Sequence, residues 1–184
     1  MPEIAVAHSP IEGVNDFYNG LLHPVFVPAH LMLLVGLGLF LGLQGYRRVE
    51  AALPVFFVAT VVGLMASTVG GGMATETIVL IWAVLVGLLI AAAPTLAPAW
   101  SWAVAAVAGV VLGFDSAQTE LSGRPLIMAL AGSGVGICLL PLYPMMLVGR
   151  FAEVTWLRIG VRIIGSWIAA SALLTLALSL VSTR

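Results

Sequence analysis

The chain has 184 residues, 61% of them hydrophobic and 8% charged, with a mean hydropathy of +1.15; a soluble domain carries about 25% charged residues, so these figures read as an integral membrane protein. Seven arginines, no lysine and eight acids leave a formal net charge of −1, which excludes the basic surface that nucleic-acid binding requires. The absence of lysine excludes a phosphate loop ending in Gly-Lys-Ser/Thr and a Schiff-base lysine, and the single cysteine, Cys138, excludes an intrachain disulfide and a thiolate metal cage.

The first residues, Met1 to His8, show neither a positive n-region nor an apolar h-region and do not read as a signal peptide. A hydrocarbon core about 30 Å thick needs roughly 20 apolar residues per helix. Six runs meet that need in chain order: Leu21–Leu43, Ala51–Val69, Thr77–Ala93, Trp100–Gly113, Leu126–Val148 and Leu157–Leu180. The fourth is short and the fifth long. Lipid offers the backbone no hydrogen-bond partner, so these runs are read as helices despite their many valines and isoleucines. The breaks carry turn chemistry: Gln44-Gly45-Tyr46-Arg47-Arg48, Gly70-Gly71-Gly72, Pro94 with Pro98, the polar stretch from Asp115 to Arg124, and Gly149-Arg150. The expected fold is all-α, a polytopic membrane bundle of six transmembrane helices forming one domain over residues 1–184. Short loops leave no room for a soluble domain, so any activity belongs to the bundle or its rims.

Six spans put both termini on one side. Arg47, Arg48, Arg150 and Arg158 fall in one set of loops, whereas Arg124 and Arg184 fall in the other with the tails. The positive-inside rule then places the first set in the cytoplasm and both termini outside. Glu3, Glu12, Asp16, Glu76, Asp115 and Glu120 gather on the outer face, against Glu50 and Glu153 on the inner one. An outer rim of carboxylates raises the local cation concentration at an entrance, although exposed acids are commonly only solvated.

The first span carries Asp16, Asn19, His23 and His30. In a straight helix a step of seven returns to within about 20° of the same direction and descends about 10 Å, so the four residues form a stripe entering the membrane. Pro24 and Pro28 allow two readings. In a continuous helix they free the carbonyls of Gly20 and Pro24 as further cation ligands; alternatively, one of them marks the true helix start. A histidine in an apolar run is a functional candidate because its ring nitrogens need partners that lipid does not supply, and the competing reading is a hydrogen bond to a neighbouring helix. At the end of the fourth span, Asp115, Gln118 and Thr119 stand at i, i+3 and i+4 if the helix continues, with Glu120 beside them. Carboxylate and amide oxygens together with imidazole nitrogens suit a borderline divalent cation such as nickel, cobalt or zinc. The competing reading is a solvated loop with Glu120 paired to Arg124. Thr75-Glu76 reads as a helix cap with an acid in the first turn. Gly38/Gly42, Gly109/Gly113 and Gly132/Gly136, four apart, predict close helix contacts. A faint internal similarity links Val61–Ser67 to Val110–Ser116.

The stretch Asn19-Gly20-Leu21-Leu22-His23-Pro24-Val25-Phe26-Val27-Pro28-Ala29-His30-Leu31-Met32-Leu33-Leu34-Val35-Gly36-Leu37 resembles the first-helix signature of the HupE/UreJ family, small membrane proteins regarded as nickel or cobalt permeases. The signature reads roughly His-Pro-x-x-Gly-x-Asp-His-x-Leu-x-Met-x-x-x-Gly. His23, Pro24 and His30 match in place and Gly36 falls near its glycine, while Val27 stands at the family glycine and Ala29 at the acid beside the second histidine. A later family element, roughly His-Gly-x-Ala-His-Gly-x-Glu, is echoed by Asp115, Ala117, Gln118 and Glu120 without its histidines.

The resemblance implies a bacterial inner (cytoplasmic) membrane protein that is no enzyme and holds no tightly bound cofactor. Its substrate would be a divalent cation, nickel, cobalt or zinc, moved passively or by secondary transport. The candidate ligands are His23, His30, Asp16, Asp115, Gln118 and Glu120, with charge lost at Ala29 relocated to Asp115. The lipid bilayer is the expected partner, with a homo-oligomer or a larger membrane complex beside it. The alternative function is an accessory subunit of a larger membrane complex whose degenerate site no longer moves metal.

Overall fold

Backbone amides that lipid does not bond must bond within their own segment, and the described residues are accordingly helical, with no strand among them. The computed structural model of the chain describes residues 15–45, 49–70, 75–116, 121–151 and 153–182. These form α1 (Asp16–Phe26), α2 (Pro28–Gln44), α3 (Ala52–Gly70), α4 (Thr75–Ala92), α5 (Pro98–Asp115), α6 (Gly123–Leu139), α7 (Leu142–Arg150) and α8 (Thr155–Ser182). Five segments are long and apolar enough to cross a membrane, one of them α6 and α7 together over Gly123–Arg150. The sixth is α1 with α2, which meets the same criterion only as a pair. The short fourth run grows to 18 residues by starting on Pro98 and ending on Asp115.

The first span is not one helix. α1 and α2 meet at a bend of 74°, and Val27 between them has φ −91° and ψ 107°. A proline pushes the residue before it out of the helical region, and its own missing N–H costs nothing at the first position of the next helix. Pro28 is therefore a helix start, while Pro24 lies inside α1. Because Pro24 has no N–H for the Gly20 carbonyl, that oxygen accepts instead from the Ser133 hydroxyl of α6 at 3.2 Å. The freed carbonyl thus serves helix packing, and the straight stripe from Asp16 to His30 is broken between its two histidines.

α2 is the central helix: Leu33, Leu34, Leu37, Phe40 and Leu41 are fully buried, and α1, α4, α5, α7 and α8 all touch it. Around it, α1 pairs with α6, α3 with α5, and α4 with α8. The glycine pairs make these approaches close, as expected. A Cβ on Gly132 would meet the Phe17 carbonyl, one on Gly113 the Thr60 carbonyl, and one on Gly38 the Pro141 carbonyl. The faintly similar segments Val61–Ser67 and Val110–Ser116 lie on α3 and α5, which pack against each other through Gly63 and Gly113. Large apolar side chains such as Met65, Ile127, Trp167 and Leu174 stand more than half exposed, as a surface solvated by acyl chains allows.

At one end of the bundle the buried Gln44 amide ties α2 to the α4–α5 loop, its Nε2 donating to the Pro94 carbonyl at 2.9 Å and its Oε1 accepting from the Leu96 amide at 3.1 Å. Arg162 donates to the Ala91 carbonyl at 2.8 Å at the same end, where the last turn of α4 leaves carbonyls unpaired. Arg150 closes α7 there, while Arg124 sits at the start of α6.

The α1–α6 contact can be tested. A side chain on Gly132 meets backbone, which cannot rotate away, so Gly132→Val is expected to cost about 1–3 kcal/mol, the usual range for overpacking. Gly160 has nothing within 4 Å of its Cβ position, so Gly160→Ala is the control and leaves stability unchanged or slightly raised. Thermal unfolding in detergent compares the two; equal midpoints would show that α1 does not rest on α6.

Candidate functional site

The bend at Val27 has a chemical result. In a straight helix His23 and His30 would stand about 10 Å apart along the axis; here α2 turns back so that their ring centroids lie 5.3 Å apart with the planes at 73°. His30, in the first turn of α2, is fully buried. The last residue of α5 reaches it: Asp115 Oδ2 lies 2.7 Å from His30 Nε2. From the first residue of α4, the Thr75 hydroxyl donates to Asp115 Oδ1. Three helices and the end of α1 thus converge on one carboxylate and two imidazoles.

A carboxylate in a site that admits little water must be hydrogen-bonded or it is strongly disfavoured. The Asp115 side chain is 12% exposed, and His30 and Thr75 each bond one of its oxygens. An ionised carboxylate only accepts, so the His30 Nε2 is the donor in this pair. The other ring nitrogen of His30, Nδ1, is buried and has no hydrogen-bond partner among the described residues. That leaves an unpartnered ring nitrogen inside the bundle, next to a second imidazole.

The residues singled out in the sequence divide as follows. His23, His30 and Asp115 come together. Asp16 does not join them. It begins α1, where Asn15 caps the helix by accepting from the Phe17 amide at 3.1 Å, and with Asn15, Arg124, Pro125 and Met128 it lines a separate open cavity of about 450 Å³. Gln118 and Glu120 lie outside the described residues, as do Thr119 and Ala117. α5 itself stops at Asp115, with Ser116 as its C-cap. Among the described residues no group of three or more His, Cys, Asp or Glu side chains is placed to hold a metal ion. The sequence predicts a helix cap at Thr75. It is instead the first residue of α4, with its hydroxyl spent on Asp115, while Glu76 does occupy the first turn. Thr75 and Asp115 are 40 residues apart, and the one sequence signal for their meeting is that both stand where a span meets the same side of the membrane.

A family model described as HupE / UreJ protein matches residues 1–175. The chain belongs to the HupE/UreJ family. This is a transporter-like membrane family associated with nickel and cobalt, not an enzyme family. No curated protein and no solved structure matches the chain. Against the family signature, Val27 sits in an extended conformation that β-branched residues adopt freely, so this bend does not require the family glycine. Ala29, at the place of the family acid, is 2% exposed, and the carboxylate that touches His30 arrives from α5.

Proposed function

We propose that this HupE/UreJ protein is a permease that moves a divalent transition-metal cation, nickel or cobalt in the first place, across a bacterial cytoplasmic membrane by passive or secondary transport. The observation that carries this reading is the meeting of His23, His30 and Asp115 at the broken first span. Broken helices with polar groups at the break are a recurrent way to build an ion site in a transporter, and imidazole nitrogen with carboxylate oxygen suits a borderline divalent ion. The Arg distribution puts this end of the bundle outside, where Asp16 and Glu76 also stand, so a cation would arrive from an acidic rim. Gln118 and Glu120, three and five residues beyond Asp115, are candidate oxygen ligands in this reading.

The alternative reading is an accessory subunit of a larger membrane complex that moves no metal. Metal analysis of protein purified without chelator, followed by uptake of nickel or cobalt into proteoliposomes, separates the two. The permease is expected to retain metal near one ion per chain and to load vesicles faster than protein-free controls. Protein that holds no metal and loads no vesicles would be an accessory subunit.

A further inference from the structure

We propose that Asp115 and Thr75 are positioning residues for His30: together they hold its imidazole in the Nε2–H form, which turns the Nδ1 lone pair to the cation, so that Asp115 acts through the histidine and not on the ion. This rests on the permease reading above and assigns the parts within that site.

The neutral imidazole has one N–H and one lone pair. Asp115 Oδ2, at 2.7 Å from Nε2, accepts only, and its other oxygen is occupied by the Thr75 hydroxyl, so the carboxylate is anchored at both oxygens and does not swing freely. The N–H is therefore on Nε2. The lone pair is then on Nδ1, which is buried and finds no hydrogen-bond donor among the described residues. The opposite assignment would set a lone pair against a carboxylate at 2.7 Å and bury an unsatisfied N–H, two penalties at once. A carboxylate bonded to the far nitrogen of a metal-binding histidine is the usual means of fixing its tautomer and raising its basicity. The donor set offered to the cation consequently begins with His30 Nδ1 and the neighbouring His23 ring, 5.3 Å away between centroids. Thr75 is new to the site, and it couples α4 to the ligand: movement of that helix end would loosen the tautomer control.

The test is nitrogen NMR on protein labelled with ¹⁵N-histidine, metal-free and in lipid nanodiscs, joined to nickel and cobalt titrations of the same samples. The chain has three histidines, His8, His23 and His30, so single substitutions of the other two assign the spectrum. The parent is expected to show His30 protonated on Nε2. In Asp115→Asn, whose amide presents either a donor or an acceptor, both tautomers should appear and metal affinity should fall by about 10- to 100-fold, the range for loss of a residue that orients a ligand. Thr75→Val should move both readouts in the same direction by less, and Thr75→Ser, which keeps the hydroxyl, should restore them. A parent His30 protonated on Nδ1 overturns the proposal. So does an Asp115→Asn protein that loses affinity with the Nε2–H form intact, which would make Asp115 a direct ligand. If the tautomer follows the variants as expected but neither metal binds even the parent, the positioning role stands and the permease reading falls.

Discussion

His30→Leu is expected to abolish both bound metal and uptake, and to lower stability as well. The leucine fills the fully buried volume of the imidazole but removes the donor to Asp115 Oδ2, leaving that oxygen with no partner at the side chain's 12% exposure. Stranding a buried charged acceptor costs about 1–3 kcal/mol or more. The two effects have different causes and come apart in the double variant. Adding Asp115→Asn to His30→Leu removes the stranded charge, so unfolding should return most of the way to the parent while metal binding stays absent. Thermal unfolding beside uptake in proteoliposomes reads both. Uptake that persists in His30→Leu would place the ion path elsewhere in the bundle.

The second large effect concerns the carboxylate itself. The family signature sets an acid directly before the second histidine, and this chain has Ala29 there, with the only described carboxylate bonded to His30 coming from Asp115 at 2.7 Å. If charge has moved from one helix to another, Asp115→Asn should lower metal affinity about 10- to 100-fold. Ala29→Asp in that background should restore part of it. The recovery is partial because residues 29 and 30 point about 100° apart on α2: the new carboxylate returns negative charge to the neighbourhood but does not rebuild the bond to Nε2. The site around Ala29 is tight, 2% exposed, so Ala29→Asp alone is included to separate strain from function. Calorimetric titration of nickel, cobalt and zinc into the four proteins gives the answer. Asp115→Asn that binds as tightly as the parent would end the relocation idea.

Five to six hydrophobic crossings, the helices of the described residues and the close glycine contacts were all readable in the amino-acid order, because each is a local property. A span announces itself by about 20 apolar residues in a row, and a glycine pair four apart marks a helix face whatever lies opposite. His23, His30 and Asp115 were also visible, since polar groups in apolar surroundings are conspicuous. The arrangement of the site was not. The seven-residue spacing of the histidines implied a straight stripe, and only the folded chain shows the 74° bend at Val27 that closes their rings to 5.3 Å; the prolines allowed a new helix start and an unbroken helix alike. Asp16 kept its place on α1 yet ended beside Arg124, away from the histidines. Thr75 looked like a cap because a hydroxyl at a helix start usually serves its own backbone, and nothing near it in the chain points to Asp115. Contacts spanning 85 residues, as between His30 and Asp115, or 40, as between Thr75 and Asp115, depend on which helices pack side by side. That choice is made by the whole bundle, through glycine faces and a freed carbonyl taken up by Ser133, and it is the tertiary packing that turned three scattered polar residues into one site.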